Sequence, residues 1–208
     1  MTNDVPSPID LRTMPDAQEW ESTAMQKRPW RTEFFEAITQ EVQSATELHD
    51  VHVLELGSGP GFLAKHLLDH IPNITRYVAL DFSPAMHQLA NQRLGEQASR
   101  VEFVERSFLQ PTWHIDLGAF DFVVTHQAVH ELRHKRHATS LHSQVAQILK
   151  PSGKYLVCDH FAGADGMKNT DLYMSITEQA LALKNGGFSS VLCLLRKGGL
   201  VLHGASAQ

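Results

Sequence analysis

The chain has 208 residues, 42% of them hydrophobic and 20% charged, and a formal net charge of −5, which suits one ordinary globular domain. The negative charge balance argues against a nucleic-acid partner, and two cysteines are too few for a disulfide framework. No apolar run approaches the roughly 18 residues that span a membrane, and the polar first 16 residues lack the apolar stretch of a signal peptide, so we expect a cytoplasmic protein without a membrane partner.

Helical and strand-like patterns alternate along most of the chain. Apolar spacing and turn residues predict, in chain order, helix 33–46, strand 51–57, helix 61–71, strand 76–81, helix 84–96, strand 100–105, strand 120–126, helix 135–149, strand 154–159 and helix 170–187. Two apolar runs around RKGG, within residues 189–205, then predict a hairpin. This alternation indicates a doubly wound α/β fold with a mostly parallel sheet, to which the hairpin adds an antiparallel strand. No repeat or domain boundary interrupts the pattern, so residues 1–208 are predicted to form a single domain.

The segment before the first predicted helix has two interpretations. Residues 1–32 are an extension to the core of residues 33–208, and they form either a lid over a pocket or a plain docking helix. As a lid, the segment would close the pocket with four side chains, Trp20, Arg28, Trp30 and Arg31. Two short basic clusters, KRPWR (27–31) and RHKR (133–136), are interpreted as solvated faces.

The sharpest motif is VLELGSGPG (53–61), in which a predicted strand is followed by Gly57, Gly59, Gly61 and then a helix. Glycines let the backbone turn tightly and approach a ligand, and a helix N-terminus offers free amides. The spacing G-x-G-x-G differs from the dinucleotide fingerprint G-x-G-x-x-G. Glu55, two residues before the first glycine, would oppose a pyrophosphate but could pair with a positively charged amino group. The motif therefore predicts a ligand that carries an ammonium group rather than phosphates.

Asp81 is the second part of this predicted ligand site. It ends the next predicted strand, 20 residues after Gly61, where an acidic side chain can accept hydrogen bonds from ribose hydroxyls. A nucleoside combined with an ammonium group describes S-adenosyl-L-methionine, which we therefore expect as the cofactor.

Four segments of the chain resemble the class I S-adenosylmethionine-dependent methyltransferase family. They are ELGSGPG (55–61), LDFSPAM (80–86), FDFVVTHQAVHEL (120–132) and LKPSGKYLVCD (149–159). The resemblance runs from about Val51 to the end of the hairpin. It implies a seven-stranded sheet of order 3-2-1-4-5-7-6, with strand 7 antiparallel and helices on both faces, and it implies methyl transfer from S-adenosylmethionine.

The resemblance also implies which residues contact the cofactor. The set is Glu55, Gly57, Ser58, Gly59, Gly61, Asp81, Phe82, Ser107, Phe108 and Thr125. Within it, Asp81 would bind the ribose, and Phe82 would lie against the adenine or serve as a core aromatic. The chain departs from the family at Ser107, where an aspartate often bonds the adenine amino group. A serine hydroxyl can accept that bond, and the amide of Phe108 could still meet the ring.

The string HELRH, from His130 to His134, satisfies the H-E-x-x-H pattern of zinc hydrolases. That chemistry needs both histidines on one face of a continuous helix. Here His130 follows a predicted strand, and the next helix is expected only from about residues 133–135. No third ligand follows at the longer metzincin spacing. We therefore disfavour a zinc hydrolase and assign no metal site.

Three histidines are the candidate catalytic residues, His126, His130 and His160. They follow central strands, whose carboxyl ends form the ligand crevice of an open α/β sheet. One of them would orient or deprotonate the methyl acceptor, with Glu131 or Asp159 as its orienting partner. The alternative, hydrogen-bonded loop histidines without a catalytic role, stays open.

The expected reaction is methylation of an oxygen or nitrogen of a small molecule. The segment THQA (125–128) differs from the N/D-P-P-Y/F motif of nucleobase amino-methylating enzymes, and there is no basic groove. Two other classes remain open: a binding module that holds S-adenosylmethionine without turnover, and a metal-assisted enzyme that uses the histidine cluster of residues 126–142 with Asp159 and His160. The oligomeric state is not determined by the sequence, and a homodimer is one arrangement it allows.

Overall fold

The computed structural model describes residues 4–44 and 50–207. Its helices are α1 (Met14–Lys27), α2 (Arg31–Gln43), α3 (Phe62–His70), α4 (Pro84–Leu94), α5 (Ala138–Gln147) and α6 (Ile176–Asn185). Its strands are β1 (Val51–Leu56), β2 (Ile74–Asp81), β3 (Val101–Glu105), β4 (Phe120–His126), β5 (Leu149–His160), β6 (Ser190–Lys197) and β7 (Leu200–Ser206). None of the helices in these two ranges is both long and apolar enough to cross a membrane.

The strands form one seven-stranded sheet of order β3-β2-β1-β4-β5-β7-β6. Strands β1 to β5 are parallel to one another, and β7 runs antiparallel to both β5 and β6. The predicted fold class, strand order and antiparallel last strand are confirmed. Because β1, β2, β4 and β5 end at the same edge of the sheet, the loops that follow them meet there.

Side-chain alternation along the strands builds a core on each face of the sheet. Leu54 and Leu56 point to the face covered by α5 and α6, whereas Val53 and Tyr77 point to the face covered by α2 and α3. All four side chains are almost completely buried. A central parallel strand buried on both faces must be apolar throughout, which explains the continuous apolar runs of the sequence.

Some element boundaries differ from the prediction for local reasons. The helix predicted from residue 135 begins at Ala138, because a 3-10 turn occupies 135–137. The helix predicted from residue 170 begins at Ile176, because Ser175 and Glu178 form a capping box that fixes its first turn. The predicted end of the first helix, at residue 46, lies outside the described residues.

His142 on α5 is a buried, neutral histidine between the helix and the sheet. It is 1% exposed, its ring meets Tyr155 edge-on at 5.6 Å, and its Nδ1 has no hydrogen-bond partner within the described chain. Burial, followed by the nearby His203, lowers the pKa of His142 to about 3. Below the ordinary histidine pKa of about 6.5, His142 is therefore protonated in the unfolded state but stays neutral in the folded state.

We expect His142→Phe to become more stable relative to the wild type as the pH falls below about 6.5. In the wild type, His142 takes up a proton in the unfolded state but not in the folded state. The difference in unfolding free energy between His142→Phe and the wild type should therefore grow by about 1.4 kcal/mol per pH unit. Urea titrations between pH 7.5 and pH 5 measure this difference, in which the titration of other buried groups cancels. The exposed His70→Phe serves as the control. A pH-independent difference for His142→Phe would contradict the assignment.

Candidate functional site

The glycine loop after β1 is held at the carboxyl edge of the sheet by β2. Gly57, Gly59 and Gly61 have φ values of 65°, 55° and 77°, in the left-handed region that glycine favours. The amides of Gly57 and Ser58 donate to the carbonyl oxygen of Leu80, at 2.8 and 3.1 Å. The loop therefore curls over the end of β2 before α3 begins.

Asp81 fixes this loop from the end of β2. Its Oδ2 accepts the amide of Gly59 at 2.8 Å, and its Oδ1 accepts the amide of Ser83 at 2.9 Å. Burial raises the pKa of Asp81 to about 6, although these amide hydrogen bonds oppose the rise. The carboxylate thus ties the glycine loop to the start of α4 and lies at the wall of a cavity.

The cavity at this edge has a volume of about 200 Å³. It is lined by ten of the thirteen predicted site residues, namely Glu55, Gly57, Ser58, Gly59, Asp81, Phe82, Phe108, His126, His130 and His160. The other three lie beside it. Gly61 begins α3 and faces Ala90, the Ser107 hydroxyl accepts the amide of Leu109, and Thr125 is buried within β4.

A histidine–aspartate pair joins the loop after β4 to the end of β5. Nδ1 of His130 lies 2.7 Å from Oδ1 of Asp159, and the backbone amide of His130 donates to Oδ2 at 2.7 Å. Burial alone would lower the pKa of His130, but the Asp159 carboxylate outweighs it and raises that pKa above its ordinary value. The same attraction overcomes burial and lowers the pKa of Asp159. We call these two residues the His130–Asp159 dyad.

The other two candidate histidines are neutral because they are buried. His126 packs edge-on against Phe35 at 5.0 Å, and burial, with Arg31 next, lowers its pKa well below the ordinary value. Burial lowers the pKa of His160 to about 4. Its Nε2 lies 2.9 Å from the side-chain nitrogen of Gln127, which can donate to the neutral ring. All three candidate histidines therefore reach the cavity, but only His130 has a carboxylate partner.

HELRH does not lie on a single helix. His130 is in a 3-10 turn over 129–132, Arg133 has a left-handed φ of 62°, and His134 precedes the next 3-10 turn. The ring of His134 accepts the amide of Arg136 and so caps the second 3-10 turn, which gives it a role different from that of His130 in the dyad. Within the described ranges, no three or more His, Cys, Asp and Glu side chains are grouped so that they could hold a metal ion.

Comparison with known proteins identifies the domain. Residues 53–153 match the family model described as a methyltransferase domain. These residues therefore form a methyltransferase domain. The glycine loop, strand order and antiparallel last strand are consistent with a class I methyltransferase, and similar solved structures bind S-adenosylmethionine. No curated protein sequence matches the chain.

Solved methyltransferase structures share the fold of this chain at low sequence identity. Mitomycin 7-O-methyltransferase MmcR has 18% identity and a TM-score of 0.70, over 93% of this chain and 58% of that one. Human N-acetylserotonin methyltransferase, solved with S-adenosylmethionine, has 16% identity and a TM-score of 0.69, over 95% and 57%. A methyltransferase from Clostridium acetobutylicum has 11% identity and a TM-score of 0.70, over 92% and 97%. This chain thus spans little more than half of the first two structures.

The residues around the cavity suit S-adenosylmethionine. A Cβ built on Gly59 would meet no atom within 4 Å, so the glycine leaves open space where a ligand can approach the backbone. The Ser58 hydroxyl is buried and has no hydrogen-bond partner among the described residues. Asp81 offers carboxylate oxygens for ribose hydroxyls, and Glu55 offers a second acidic group nearer the loop. Together they provide the polar contacts that a nucleoside with an amino-acid tail requires.

Glu55 is expected to release a proton when the cofactor binds. Burial raises its pKa to about 8, against a 2.6 Å hydrogen bond from the Tyr77 hydroxyl, so the free protein holds it mostly protonated at pH 7. An ammonium group beside it favours the carboxylate. Calorimetric titration with S-adenosylhomocysteine, in buffers of different ionisation enthalpy, should show release of close to one proton.

Glu55→Gln should abolish this proton release, and the exposed Glu96→Gln should preserve it. The sign follows from the raised pKa: only a group protonated before binding can release a proton on binding. Binding enthalpies that are identical in all buffers for the wild type would show that Glu55 does not meet the cationic group.

The N-terminal helices contribute side chains to the lining of the cavity. Trp20 and Arg28 of this segment line it, together with Arg31 at the start of α2. The interpretation of KRPWR as a solvated face is wrong for Arg31, which is 4% exposed. Trp30 packs instead on the β6–β7 turn, where its ring occupies the space beside Gly198. Three of the four proposed closing side chains therefore face the cavity.

Two residues of the site had no distinguishing signal in the sequence. Gln127 has a left-handed φ of 58°, which turns its side chain toward His160. Tyr173, from the connection between β5 and α6, places its ring 5.6 Å from that of His130. Each reaches the dyad region through tertiary packing, which no local spacing reveals.

Proposed function

We propose that this methyltransferase transfers the methyl group of S-adenosylmethionine to an oxygen or nitrogen of a small-molecule acceptor. The observation that supports it most directly is the His130–Asp159 dyad, in which His130 borders the same cavity as Gly57, Gly59 and Asp81. The glycine loop, which would hold the cofactor, and the candidate base His130 therefore line the same cavity. That arrangement suits an acceptor that must lose a proton while it is methylated.

The dyad assigns each nitrogen of His130 a role in this proposal. Asp159 accepts the hydrogen on Nδ1, so the neutral ring carries its lone pair on Nε2. Bound S-adenosylmethionine supplies an electrophilic methyl group on its sulfonium. Nε2 of His130, which lies 3.4 Å from Oε1 of Glu131, takes the proton from the acceptor's hydroxyl or amine. Asp159 and Glu131 then stabilise the imidazolium that results. The remaining acceleration comes from alignment of the acceptor with the methyl group.

The size and walls of the cavity support a small acceptor. Its volume of about 200 Å³ is bounded by α1 on one side and by the loops after β4 and β5 on the other. Two of the similar structures are named for small acceptors, mitomycin and N-acetylserotonin. The net charge of −5 supplies no attraction to a nucleic acid.

The N-terminal extension is proposed to act as a lid that retains the cofactor. Arg93 on α4 joins it to the glycine loop, since its guanidinium donates to the Pro60 carbonyl at 2.8 Å and pairs with Glu21 of α1. The Arg93 guanidinium also stacks over Phe62 at 3.7 Å. Movement of α1 away from the core would break the pair with Glu21 and open the cavity.

Glu21→Gln is therefore expected to speed the dissociation of S-adenosylhomocysteine by about fivefold, in line with roughly 1 kcal/mol for a partly buried ion pair. Stopped-flow fluorescence of the complex measures this rate, and the exposed Glu19→Gln is the matched control on the same helix. Equal dissociation rates for the two variants would favour the docking-helix interpretation instead.

The transfer itself is tested with methyl-labelled S-adenosylmethionine and a pool of phenols, amines and carboxylic acids. We expect label in a small molecule, with an equal amount of S-adenosylhomocysteine formed. Tight cofactor binding without transfer to any member of the pool would favour a binding module. Loss of transfer on chelation, with restoration by a divalent ion, would favour a metal-assisted enzyme.

A further inference from the structure

Arg31 is a buried arginine that no carboxylate of the described chain neutralises. It is 4% exposed, lines the cavity, and its Nε has no hydrogen-bond partner among residues 4–44 and 50–207. The guanidinium carbon lies 5.4 Å from the ring centroid of Trp20, which holds the side chain in place. Burial of an unpaired cation is unfavourable for folding, so this guanidinium group would gain from an anionic partner.

Arg28 brings a second positive charge to the same wall. Its Nε is likewise buried without a partner in the described ranges, and one terminal nitrogen donates to the Lys27 carbonyl at 2.8 Å. Burial lowers the pKa of Arg31 to about 10, and the charge of Arg28 contributes to the same shift. The two guanidinium groups therefore repel each other and would both gain from a shared anion.

The acidic side chains of the cavity are engaged elsewhere. Glu55 accepts the Tyr77 hydroxyl, Asp81 accepts two backbone amides, and Glu131 accepts a hydrogen bond from Arg133 at 3.2 Å. Among the described residues, none of these three carboxylates forms an ion pair with Arg28 or Arg31. The two arginines therefore line the cavity without an acidic partner from the described chain.

We propose that Arg28 and Arg31 form a carboxylate-binding subsite in the cavity. A carboxylate offers two coplanar acceptor oxygens and one negative charge, which match the fork of a guanidinium group. That carboxylate belongs to the methyl acceptor, which would then be a small carboxylic acid. This assignment rests on the proposed methyl transfer, whereas carboxylate binding itself requires no turnover.

The first test compares S-adenosylhomocysteine with its decarboxylated analogue by titration calorimetry. If the subsite holds the cofactor's carboxylate, Arg31→Gln should weaken the binding of S-adenosylhomocysteine about tenfold or more, as expected for charge-assisted hydrogen bonds. Binding of the decarboxylated analogue should be unchanged by the same substitution.

The second test adds benzoate, or benzamide as its uncharged counterpart, to the protein saturated with S-adenosylhomocysteine. If the subsite holds the acceptor's carboxylate, the wild type should bind benzoate more tightly than benzamide, and Arg31→Gln should remove that preference. Arg31→Lys should restore part of it, because the charge remains while the fork is lost.

Lys184→Gln, which removes an exposed positive charge on α6, controls for net charge in both tests. Should Arg31→Gln fail to fold, the same comparisons on Arg28→Gln decide the matter. Loss of the benzoate preference supports the acceptor subsite. Weaker binding of S-adenosylhomocysteine without that loss assigns the arginines to the cofactor's own carboxylate and overturns the proposal. If every carboxylate preference is the same in the Arg31 and Arg28 variants as in the wild type, the subsite does not exist. Because no turnover is measured, failure of the proposed methyl transfer leaves these results interpretable.

Discussion

His130→Ala is expected to lower kcat by about a hundredfold to ten-thousandfold, the range that a positioned general base contributes. The affinity for S-adenosylhomocysteine should be unchanged, because the glycine loop and Asp81, rather than His130, are the proposed cofactor contacts. Asp159→Asn should also lower kcat, since the amide no longer accepts the Nδ1 hydrogen as a charged partner. Initial rates and calorimetry on the same preparations separate the two effects.

The pH profile provides a sharper readout of the same dyad. Because Asp159 raises the pKa of His130, the imidazole is protonated in the free protein at neutral pH, and only its neutral form can act as a base. We therefore expect kcat/KM of the wild type to increase with pH through the neutral range. Asp159→Asn removes the attraction of the Asp159 carboxylate for the proton on His130. The rise of kcat/KM in this variant should therefore occur at lower pH, and its plateau value should be lower.

His134→Ala is the matched control, because it belongs to the same HELRH string. Its ring accepts the amide of Arg136 and does not line the cavity. A zinc hydrolase motif would require His130 and His134 equally, whereas the dyad requires only His130. Similar losses of activity in the two variants, at equal thermal stability, would contradict the assignment of His130 as the base.

The meeting of the candidate cofactor residues at one edge of the sheet could be predicted because its signals are local. The apolar run FDFVVTH coincides with β4 from Phe120 to His126, since a strand buried on both faces leaves a continuous apolar pattern. The glycines after β1 and the acid at the end of β2 lie at fixed distances along the chain. Parallel strands then bring them to one edge of the sheet, whatever the details of packing.

The choice among the histidines could not be made from the sequence. His130 and Asp159 are 29 residues apart and meet because β4 and β5 are neighbours in the sheet. Nothing in the order of residues distinguishes His130, which meets a carboxylate, from His126, which packs against Phe35. Arg31 shows the same limit, because a basic cluster indicates a solvated surface unless tertiary packing covers it.

Gly57→Ala is expected to have the largest effect on stability, about 2–5 kcal/mol of unfolding free energy. The φ of 65° disfavours any side chain, and a Cβ at Gly57 would lie only 2.3 Å from the Cβ of Ala128. Ala128 stands in the loop that leads from β4 to His130. The clash would therefore push the glycine loop away from the loop that carries His130 of the dyad. We expect both cofactor binding and turnover to be lost.

Gly59→Ala distinguishes backbone strain from this clash. Gly59 also has a positive φ, of 55°, but its added Cβ would meet nothing within 4 Å. It should cost only the strain of the left-handed conformation, about 1–2 kcal/mol. Its methyl group would instead enter the cavity, so cofactor affinity should fall more than stability does. Urea denaturation and calorimetry of both variants test the two roles separately.

A double substitution isolates the contact between the two loops. Ala128→Gly removes the Cβ that clashes, and the remaining neighbours of a Cβ at Gly57, Phe108 and the Ala128 backbone, lie at 3.6 and 3.7 Å. Gly57→Ala combined with Ala128→Gly should therefore remove the clash, so that only the φ strain remains and the rest of the lost stability is regained. If the two substitutions were simply additive, Ala128 would not be the reason that position 57 requires glycine. Recovery of turnover together with stability would show that the contact between residues 57 and 128 positions the glycine loop relative to the dyad.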